Sequence, residues 1–398
     1  MRERRYEGNA AHGPRVGGQS TVAGYFFLLL SAAGSFLLLW AALLARRFHP
    51  SQEVPDRASS SPGITLLKPL HGDEPRLEEN LESFLRQAYE GPVQVIFGIQ
   101  DPRDPAAEVV ERLKRRYPDS DLTLVCDTTA RGANRKISNL ANMMARVSHG
   151  VVVLSDSDMS VGRDYLARLA AALDAPGVGG VTCLYYGRGD AGPASRLVAM
   201  GISQHFLPSA LVGLKMRLAH PCMGSTIALR RETLAAIGGF EAFSDTLADD
   251  HAIGEAVRRL GLEIVIPDML LRHGCAERSL AELWRQEQRW SATVYGIDPA
   301  GYTGGIVLHP LPLALAGAAL LGFSGPGLAG IALALCARGA AAVQVSRASG
   351  ERPELPLVPV RDLLSFAVFF SAFFARSVDW RGARLRIASQ GRLSKKED

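Results

Sequence analysis

Asp156, Ser157 and Asp158 follow directly on the four apolar residues 151–154, in a segment that reads VVVLSDSDMS. A β-branched run that stops abruptly in polar residues predicts a strand buried on both faces, as in a parallel sheet. In open α/β sheets, ligands gather beyond the carboxyl ends of such strands. Asp156 and Asp158 alternate with Ser157, so on an extended chain both carboxylates point the same way. Two hard oxygen donors at a strand end suit Mg2+ or Mn2+, with water and ligand phosphates completing the shell. A strand-to-turn junction with solvated aspartates has the same spelling, so the weight of the triplet depends on its surroundings.

Four other polar groups bear on it. Gln100-Asp101-Pro102-Arg103-Asp104-Pro105 ends the apolar run 93–99. It places Asp101 at a second strand end, where it could also cap the next helix. Arg131-Gly132-Ala133-Asn134-Arg135-Lys136 leads into a helix ahead of the central strand. A cation at a helix amino terminus suits phosphate, although the same residues could form a plain solvated loop. Asp245-Thr246-Leu247-Ala248-Asp249-Asp250-His251 opens a helix that runs through Arg259. Acidic residues favour that end of the dipole, and adjacent aspartates beside a histidine are a reasonable place for a general base. Residues 279–295, SLAELWRQEQRWSATVY, put Leu280, Leu283, Trp284 and Trp290 on one apolar face beside Arg285, Gln286, Gln288 and Arg289. That pattern fits an amphipathic helix, ordinary or at a membrane interface.

These groups need a scaffold, and the intervening pattern supplies one. Strands are expected at 64–67, 93–99, 122–126, 151–154, 178–184 and 227–229. Helices are expected at 75–89, 106–117, 134–147 and 164–173, and the stretch 195–217 reads as apolar but irregular. Strand–helix alternation with short connections predicts an α/β fold with a mostly parallel, doubly wound sheet and a nucleotide-type crevice. The chain has no GxGxxG after its first strand and no GxxxxGK[ST], which excludes a dinucleotide fingerprint and a P-loop.

Composition adds a membrane. Of 398 residues only 21% are charged, and the net charge of +4 is too mild to argue for nucleic acid. Residues 1–20 read as a disordered basic terminus and 21–45 as a retained transmembrane helix, too long in its apolar core for a cleaved signal. A Ser/Pro linker at 51–62 leads to a catalytic domain at 63–305. Beyond it, 306–376 holds a hairpin of two spans, 306–323 and 328–345 with Arg338 inside, and a shorter interfacial or re-entrant segment at 363–374. The basic tail 377–398 favours the cytosolic side. Cys126, Cys183, Cys222, Cys275 and Cys336 have no CxxC spacing, which fits reduced, packed thiols in a cytosol-facing protein.

Taken in order, Asp101, Asp156-Ser157-Asp158, Asp249-Asp250 and Gln286-Glu287-Gln288-Arg289-Trp290 resemble the D, DxD, (E/D)D and QxxRW series of the membrane-bound inverting glycosyltransferases of GT-A fold. Lys68-Pro69-Leu70, Asn134-Arg135-Lys136-Ile137-Ser138-Asn139-Leu140 and the leading transmembrane helix resemble the ceramide glucosyltransferase-like group within them. Ala248-Asp249-Asp250-His251 and His273-Gly274-Cys275 are similar to its bacterial, hopanoid-modifying branch.

The resemblance implies a GT-A (Rossmann-like) domain with one N-terminal and two to three C-terminal membrane segments. It implies transfer of N-acetylglucosamine from UDP-GlcNAc to a hydroxyl of bacteriohopanetetrol. UDP-glucose-dependent glucosylation of ceramide is the alternative, and a non-catalytic scaffold or nucleotide-sugar sensor is a second. A processive polysaccharide synthase would be expected to have more carboxy-terminal helices. By the same resemblance Asp101 contacts the uracil or ribose, Lys136 the diphosphate, and Asp156 the ribose or metal. Asp158 holds the Mg2+ or Mn2+, Asp250 deprotonates the acceptor, and Gln286, Arg289 and Trp290 close over diphosphate and acceptor. Asp249 stands where many relatives have Glu, and His273 is either an extra metal ligand or a packed histidine. The partners implied are a UDP-sugar, a membrane lipid and the bilayer, without nucleic acid. The implied location is a bacterial inner membrane with the catalytic domain facing the cytosol.

Overall fold

The computed structural model describes residues 16–48, 61–375, 377–380, 383–387 and 393–395. Helix α1 (Val16–Leu44) begins earlier than expected. The uncharged Val16-Gly17-Gly18-Gln19-Ser20 stretch continues the helix instead of fraying. Residues 1–15 and most of the expected 51–62 linker lie outside the described residues.

The large sheet starts with four parallel strands: β1 (Ile64–Pro69), β2 (Val93–Ile99), β3 (Asp121–Cys126) and β4 (Val151–Leu154). Helices α2 (Leu77–Leu85), α3 (Ala106–Arg116) and α4 (Arg135–Met143) connect them. Because side chains alternate along a strand, each strand serves two cores. Leu66, Phe97 and Val153 pack with Leu81 and Phe84 of α2 and Val110 of α3. Leu67, Ile96 and Val152 pack with Ile137 and Leu140 of α4 on the other face. Each such side chain removed from water contributes about 1.5–3 kcal/mol, which makes the inner strands the rigid part of the domain.

The chain continues through β5 (Met159–Ser160), α5 (Tyr165–Leu173), β6 (Val178–Thr182) and β7 (Leu184–Gly189). Then follow α6 (Pro193–Gly201), a π-turn at Ile202–Phe206, α7 (Leu207–Lys215), β8 (Ile227–Arg230) and α8 (Arg231–Ala236). Helix α9 (Asp249–Arg259), β9 (Glu263–Val265), β10 (Leu270–Cys275) and α10 (Leu280–Ile297) complete the domain. The large sheet has the order β3-β2-β1-β4-β8-β6-β9. It is mostly parallel, as expected, with β8 antiparallel to both neighbours. The single strand expected over 178–184 is split at Cys183, because β7 leaves for a second sheet, β5-β10-β7. That small sheet aligns His273 with Met159 and so delivers His273 to the DxD turn.

The remaining helices are α11 (Pro299–Gly304), α12 (Pro310–Leu320), α13 (Gly325–Ser349) and α14 (Val358–Ala372). Among the described residues, four helical stretches are long and apolar enough, by length and composition, to cross a membrane: Gln19–Phe48, Pro193–Lys215, Gly325–Ser349 and Leu355–Ala372. Three expectations change here. The 306–323 span is broken, with Pro299–Leu308 and Pro310–Leu320 meeting at 66°. Pro310 cannot continue a helix but starts one readily. The 363–374 segment is longer than expected and joins the turn before it. Of residues 195–217, expected to be irregular, all up to Lys215 are helical.

The last difference has a specific cause. Pro208 has no N–H to give to the carbonyl four residues back, that of Gln204. The π-turn absorbs the distortion, and Arg338 Nη1 of α13 donates to Gln204 O at 2.6 Å in place of the missing donor. Around α1 the helices approach closely through small residues. A Cβ on Gly317 of α12 would lie 2.9 Å from Gly24 O, and one on Gly330 of α13 would lie 2.6 Å from Leu28 Cδ2.

The described backbone of the basic tail forms a small antiparallel sheet of β11 (Ser377–Trp380), β12 (Ala383–Ile387) and β13 (Leu393–Lys395). All five cysteines are free. Cys183, Cys222 and Cys275 are packed as expected, whereas Cys126 and Cys336 are exposed.

Candidate active site

The parallel register sets Leu67 of β1 beside Leu154 of β4, so Lys68 and the DxD turn emerge at the same sheet edge. Lys68 is fully buried beneath that turn. Its Nζ donates to Ser155 Oγ at 3.3 Å and to the Asp156 carbonyl, and lies 3.7 Å from the centre of the Phe84 ring. Burial pushes the ammonium down to about 7 against the attraction of Asp156 and Asp158.

Asn134 caps α4, its Oδ1 accepting from Ile137 N at 3.0 Å. Its Nδ2 donates to Thr246 O at 2.8 Å and to Asp249 Oδ1 at 3.2 Å, which joins the loop before α4 to the start of α9. Lys136, one turn into α4, therefore faces two carboxylates: Nζ is 2.6 Å from Asp156 Oδ1 and 3.9 Å from Asp249 Oδ2. Burial works against its charge, but Asp156 and Asp249 outweigh it and hold the ammonium above its ordinary range. Asp249 is buried, and desolvation with the nearby Asp250 carries its carboxyl up to about 6 against the pull of Lys136.

Asp250 is held differently. Its Oδ2 accepts from Gly224 N at 2.9 Å and its Oδ1 from His251 N at 2.7 Å. Gly224 marks the point of convergence. A Cβ there would stand 3.1 Å from Lys136 Nζ, 3.4 Å from Asp250 Oδ2 and 3.6 Å from Asp156 Oδ2. One ammonium and two carboxylates thus border a space that any side chain at residue 224 would occupy.

Asp158 lies on the other side of the turn, its Oδ2 3.3 Å from His273 Nε2. His273 stacks on Tyr185 at 5.5 Å and meets Trp290 edge-on at 6.2 Å. Desolvation opposes its charge, but the Asp158 carboxylate prevails and raises its imidazole well above the usual value. In return, although burial works the other way, His273 holds the Asp158 carboxyl below its ordinary range.

A divalent cation can be tested against these donors. Asp158 Oδ1 is buried without a hydrogen-bond partner, and such an orphaned acceptor needs an explanation. Among the described residues no group of three or more His, Cys, Asp and Glu side chains forms a cage. A site of one or two carboxylates completed by water and phosphate oxygens is the usual arrangement for Mg2+-type ions. The residues fit such an ion.

The other expected site residues fall into two sets. Asp101 is exposed and bonded to Arg103, through Arg103 N at 2.9 Å and Nε at 3.3 Å. It does not cap α3, whose N-cap position is Pro105; next to it Asp104 Oδ1 accepts from Ala106 N at 3.0 Å. On α10, Arg289 Nη2 donates to Gln286 Oε1 at 3.1 Å, and Trp290 reaches the site through His273. Of the expected apolar face, Leu283 is fully buried and Trp290 packs beside it, but Leu280 is 63% exposed and Glu287 is buried on the same side. Arg361 of α14 explains the buried carboxylate, pairing with Glu287 at 2.8 Å.

Sequence patterns did not single out Tyr185 or Gly224, and Lys68 stood only within a resembling strand end. Tyr185 is sandwiched between His273 and, at 4.8 Å, Phe206 of the π-turn. Burial and the carboxylates of Asp250, Asp158 and Asp156 raise its phenol. A tyrosine in an apolar strand carries no local signal, and the long-range pairing of β7 with β10 creates this position.

Strand order, the DxD turn at the sheet edge and the flanking second sheet define a GT-A glycosyltransferase fold. A solved structure titled mannosyltransferase PcManGT from Pyrobaculum calidifontis, in complex with GDP-Man and Mn2+, is similar to this chain. The TM-score is 0.50 and the identity 22%, over 88% of this chain and 98% of that one, a likeness of fold. Residues 25–393 match glycosyl transferase family 21, and the chain belongs to that family. A curated relative, ceramide glucosyltransferase 1 of Caenorhabditis elegans, is 24% identical over 232 residues, covering 58% of this chain and 49% of that protein. Ceramide glucosyltransferase of Candida albicans is 26% identical over 176 residues, covering 38% of this chain and 32% of that protein. The chain spans about half or less of the length of these curated relatives.

Proposed function

We propose that this chain is a membrane-bound, metal-dependent glycosyltransferase that moves a hexose from a UDP-sugar to a lipid hydroxyl with inversion. The observation that carries it is the convergence of Lys136, Asp156 and Asp250 on Gly224, beside the orphaned Asp158 carboxylate oxygen. The names of the curated relatives favour glucose and a ceramide-type acceptor over N-acetylglucosamine and bacteriohopanetetrol. The apolar helices support a bilayer location, which we take, with the basic tail, to be a cytosol-facing arrangement in an inner membrane.

Asp158 and Asp156 would hold a Mg2+ or Mn2+ ion, which when bound would supply charge for a leaving diphosphate. Lys136 adds a fixed positive charge beside Asp156, and its pairing with two carboxylates keeps it protonated at neutral pH. Asp250 is the base. Two backbone N–H groups fix its carboxylate while each oxygen keeps a lone pair for an acceptor hydroxyl. Asp249, buried against Asn134 and Lys136, positions the cation instead. Asp101 would meet the uracil or ribose from its exposed turn. Gln286, Arg289 and Trp290 would close over the diphosphate and acceptor.

The deciding assay uses membranes containing the chain, radiolabelled UDP-glucose or UDP-GlcNAc, and ceramide or bacteriohopanetetrol. Metal-dependent label in hexosylceramide supports the first choice. Label only in a hexosamine-modified hopanoid moves donor and acceptor to the other reading. No label in any lipid would leave a scaffold or sensor.

A further inference from the structure

A groove of roughly 640 Å³ lies on the side of the domain where the apolar helices end. Leu44 at the end of α1 and Leu211 and Leu214 near the end of α7 form one apolar wall, and Ile264 and Ile266 form another. The rim is cationic. Arg47, Lys215, Arg217 and Arg258 line it together with His220, against the single carboxylate of Glu263. Arg47 is engaged by Asp268 at 2.9 Å and Arg258 by Glu255 at 2.9 Å. Among the described residues no ion pair involves Lys215 or Arg217.

The level of the groove is set by two candidate spans. The ends of α1, α7 and α13 meet in one cluster, where Ala45, Phe48, Leu211, Val345 and Ala348 are buried together. Of these, α7 continues α6, which packs on β7 and β10 of the sheet domain, so it is the ends of α1 and α13 that place this depth at the headgroup layer, provided that the membrane reading proposed above is right. The loop leaving α7 suits such a layer. It reads Lys215-Met216-Arg217-Leu218, with Met216 46% and Leu218 70% exposed between and beside the two cations. Alternating apolar and basic side chains at a surface favour insertion beside anionic lipid.

Arg217 has φ +56°, the left-handed conformation just past the end of α7 that glycine occupies most easily. An arginine is held there against its backbone preference.

We propose that this groove binds an anionic phospholipid, with the acyl chains along the Leu211/Leu214 wall and the phosphate between Lys215 and Arg217. The site lies behind the catalytic floor. From His220 the chain runs through Pro221, Cys222 and Met223 to Gly224, whose N–H holds Asp250. It requires no change in the acceptor assignment.

The test uses the full chain in phosphatidylcholine nanodiscs with and without a minority of phosphatidylglycerol, and native mass spectrometry of the detergent-released protein. Preferential retention of phosphatidylglycerol is expected. The double variant Lys215→Glu/Arg217→Glu should weaken it by at least about tenfold. Arg217→Gly removes one charge while relieving the backbone, so reduced retention in a well-folded protein would support the site. Equal retention of both lipids, or unchanged retention in both variants, would overturn the proposal. So would competition by inorganic phosphate as effective as by phosphatidylglycerol, since the groove would then hold a free anion. A protein that never partitions into nanodiscs would instead sink the membrane reading, and transferase activity in pure phosphatidylcholine reports on the catalytic reading separately.

Discussion

Two clusters in this chain are built from the same parts, aspartate, histidine and a cation, and they are finished differently. In the membrane bundle Arg338, Asp362 and His205 close on one another. Arg338 Nε donates to both Asp362 oxygens at 2.8 and 2.9 Å, Nη1 to Gln204 O at 2.6 Å, and Nη2 contacts His205 Nε2 at 2.7 Å. Both charged side chains are about 1% exposed. At the sheet edge, Lys136, Asp156, Asp158 and Asp250 are also near cations or donors, but the set is left open. Asp158 Oδ1 has no hydrogen bond, Asp156 is 35% exposed, and a space remains at Gly224. A closed network fixes helices, whereas an open one holds unspent electrostatic capacity for a ligand. Substitutions should separate the two by what they damage.

The largest effect is expected at Asp250. Asp250→Asn keeps the shape but removes the basicity, and it leaves one of the two backbone N–H groups, of Gly224 or His251, facing an amide nitrogen that cannot accept. Turnover should fall by a factor on the order of 10²–10⁴, with UDP-sugar binding nearly unchanged and only a modest drop in melting temperature from the one lost hydrogen bond. Abolished donor binding with normal turnover per bound complex would move the base to Asp249.

The closed cluster should show the reverse. Arg338→Met leaves Asp362 without its cation and Gln204 O without a donor. A loss of about 3–5 kcal/mol is expected for breaking a buried pair from one side. The double variant Arg338→Met/Asp362→Leu removes both charges and should recover much of that loss. Thermal unfolding in detergent measures both, and a double variant as unstable as the single one would contradict the reading of a self-contained structural network.

Asp158 tests the open cluster between these extremes. Asp158→Asn should lower Mn2+ affinity by about tenfold or more, because a charged oxygen donor is replaced by a neutral amide. Titration of the purified protein with Mn2+ in the presence of UDP checks this without any turnover. Unchanged affinity would break the assignment of Asp158 as a ligand.

The contrast also explains what sequence could and could not convey. The inner strands were legible because apolar runs such as 151–154 end in polar turns, and burial on both faces follows from the unbroken run itself. The helices that carry Lys136 and Asp250 were legible for a similar reason, since Asn134 and the 249–250 aspartates are local helix-start signals. The second sheet was not legible, because residues 184–189 and 270–275 pair over a long separation and give no shared pattern. Tyr185 and the His273–Asp158 contact were therefore hidden as well. The α6–α7 helix was hidden by Pro208, whose missing donor is made good by an arginine 130 positions later in the chain. The burial of Glu287 on α10 was hidden too, because its partner, Arg361, lies far along the chain on α14.

The smallest and most discriminating effect concerns Asp249, which borders both kinds of cluster: buried like the closed one, yet part of the open one. Its folded carboxyl ionises near pH 6, above the ordinary value near 3.9 that an unfolded chain presents. The folded state therefore binds the proton more tightly, and ionisation at that site costs stability. The penalty is absent below about pH 4, grows as the pH rises to about 6, and is constant above. A shift of about two units corresponds to at most about 3 kcal/mol, and less once Lys136 reorients toward Asp156 alone. Asp249→Asn removes the titration but keeps a partner for Asn134. Relative to the unchanged chain, its metal-free stability should rise by about 1–3 kcal/mol between pH 4 and 6.5 and then level off, as read from melting curves across that range. A difference that is flat with pH would mean that Asp249 is ionised throughout, held by Lys136 as firmly as Asp362 is held by Arg338, and the distinction between an open and a closed cluster would fail at this residue.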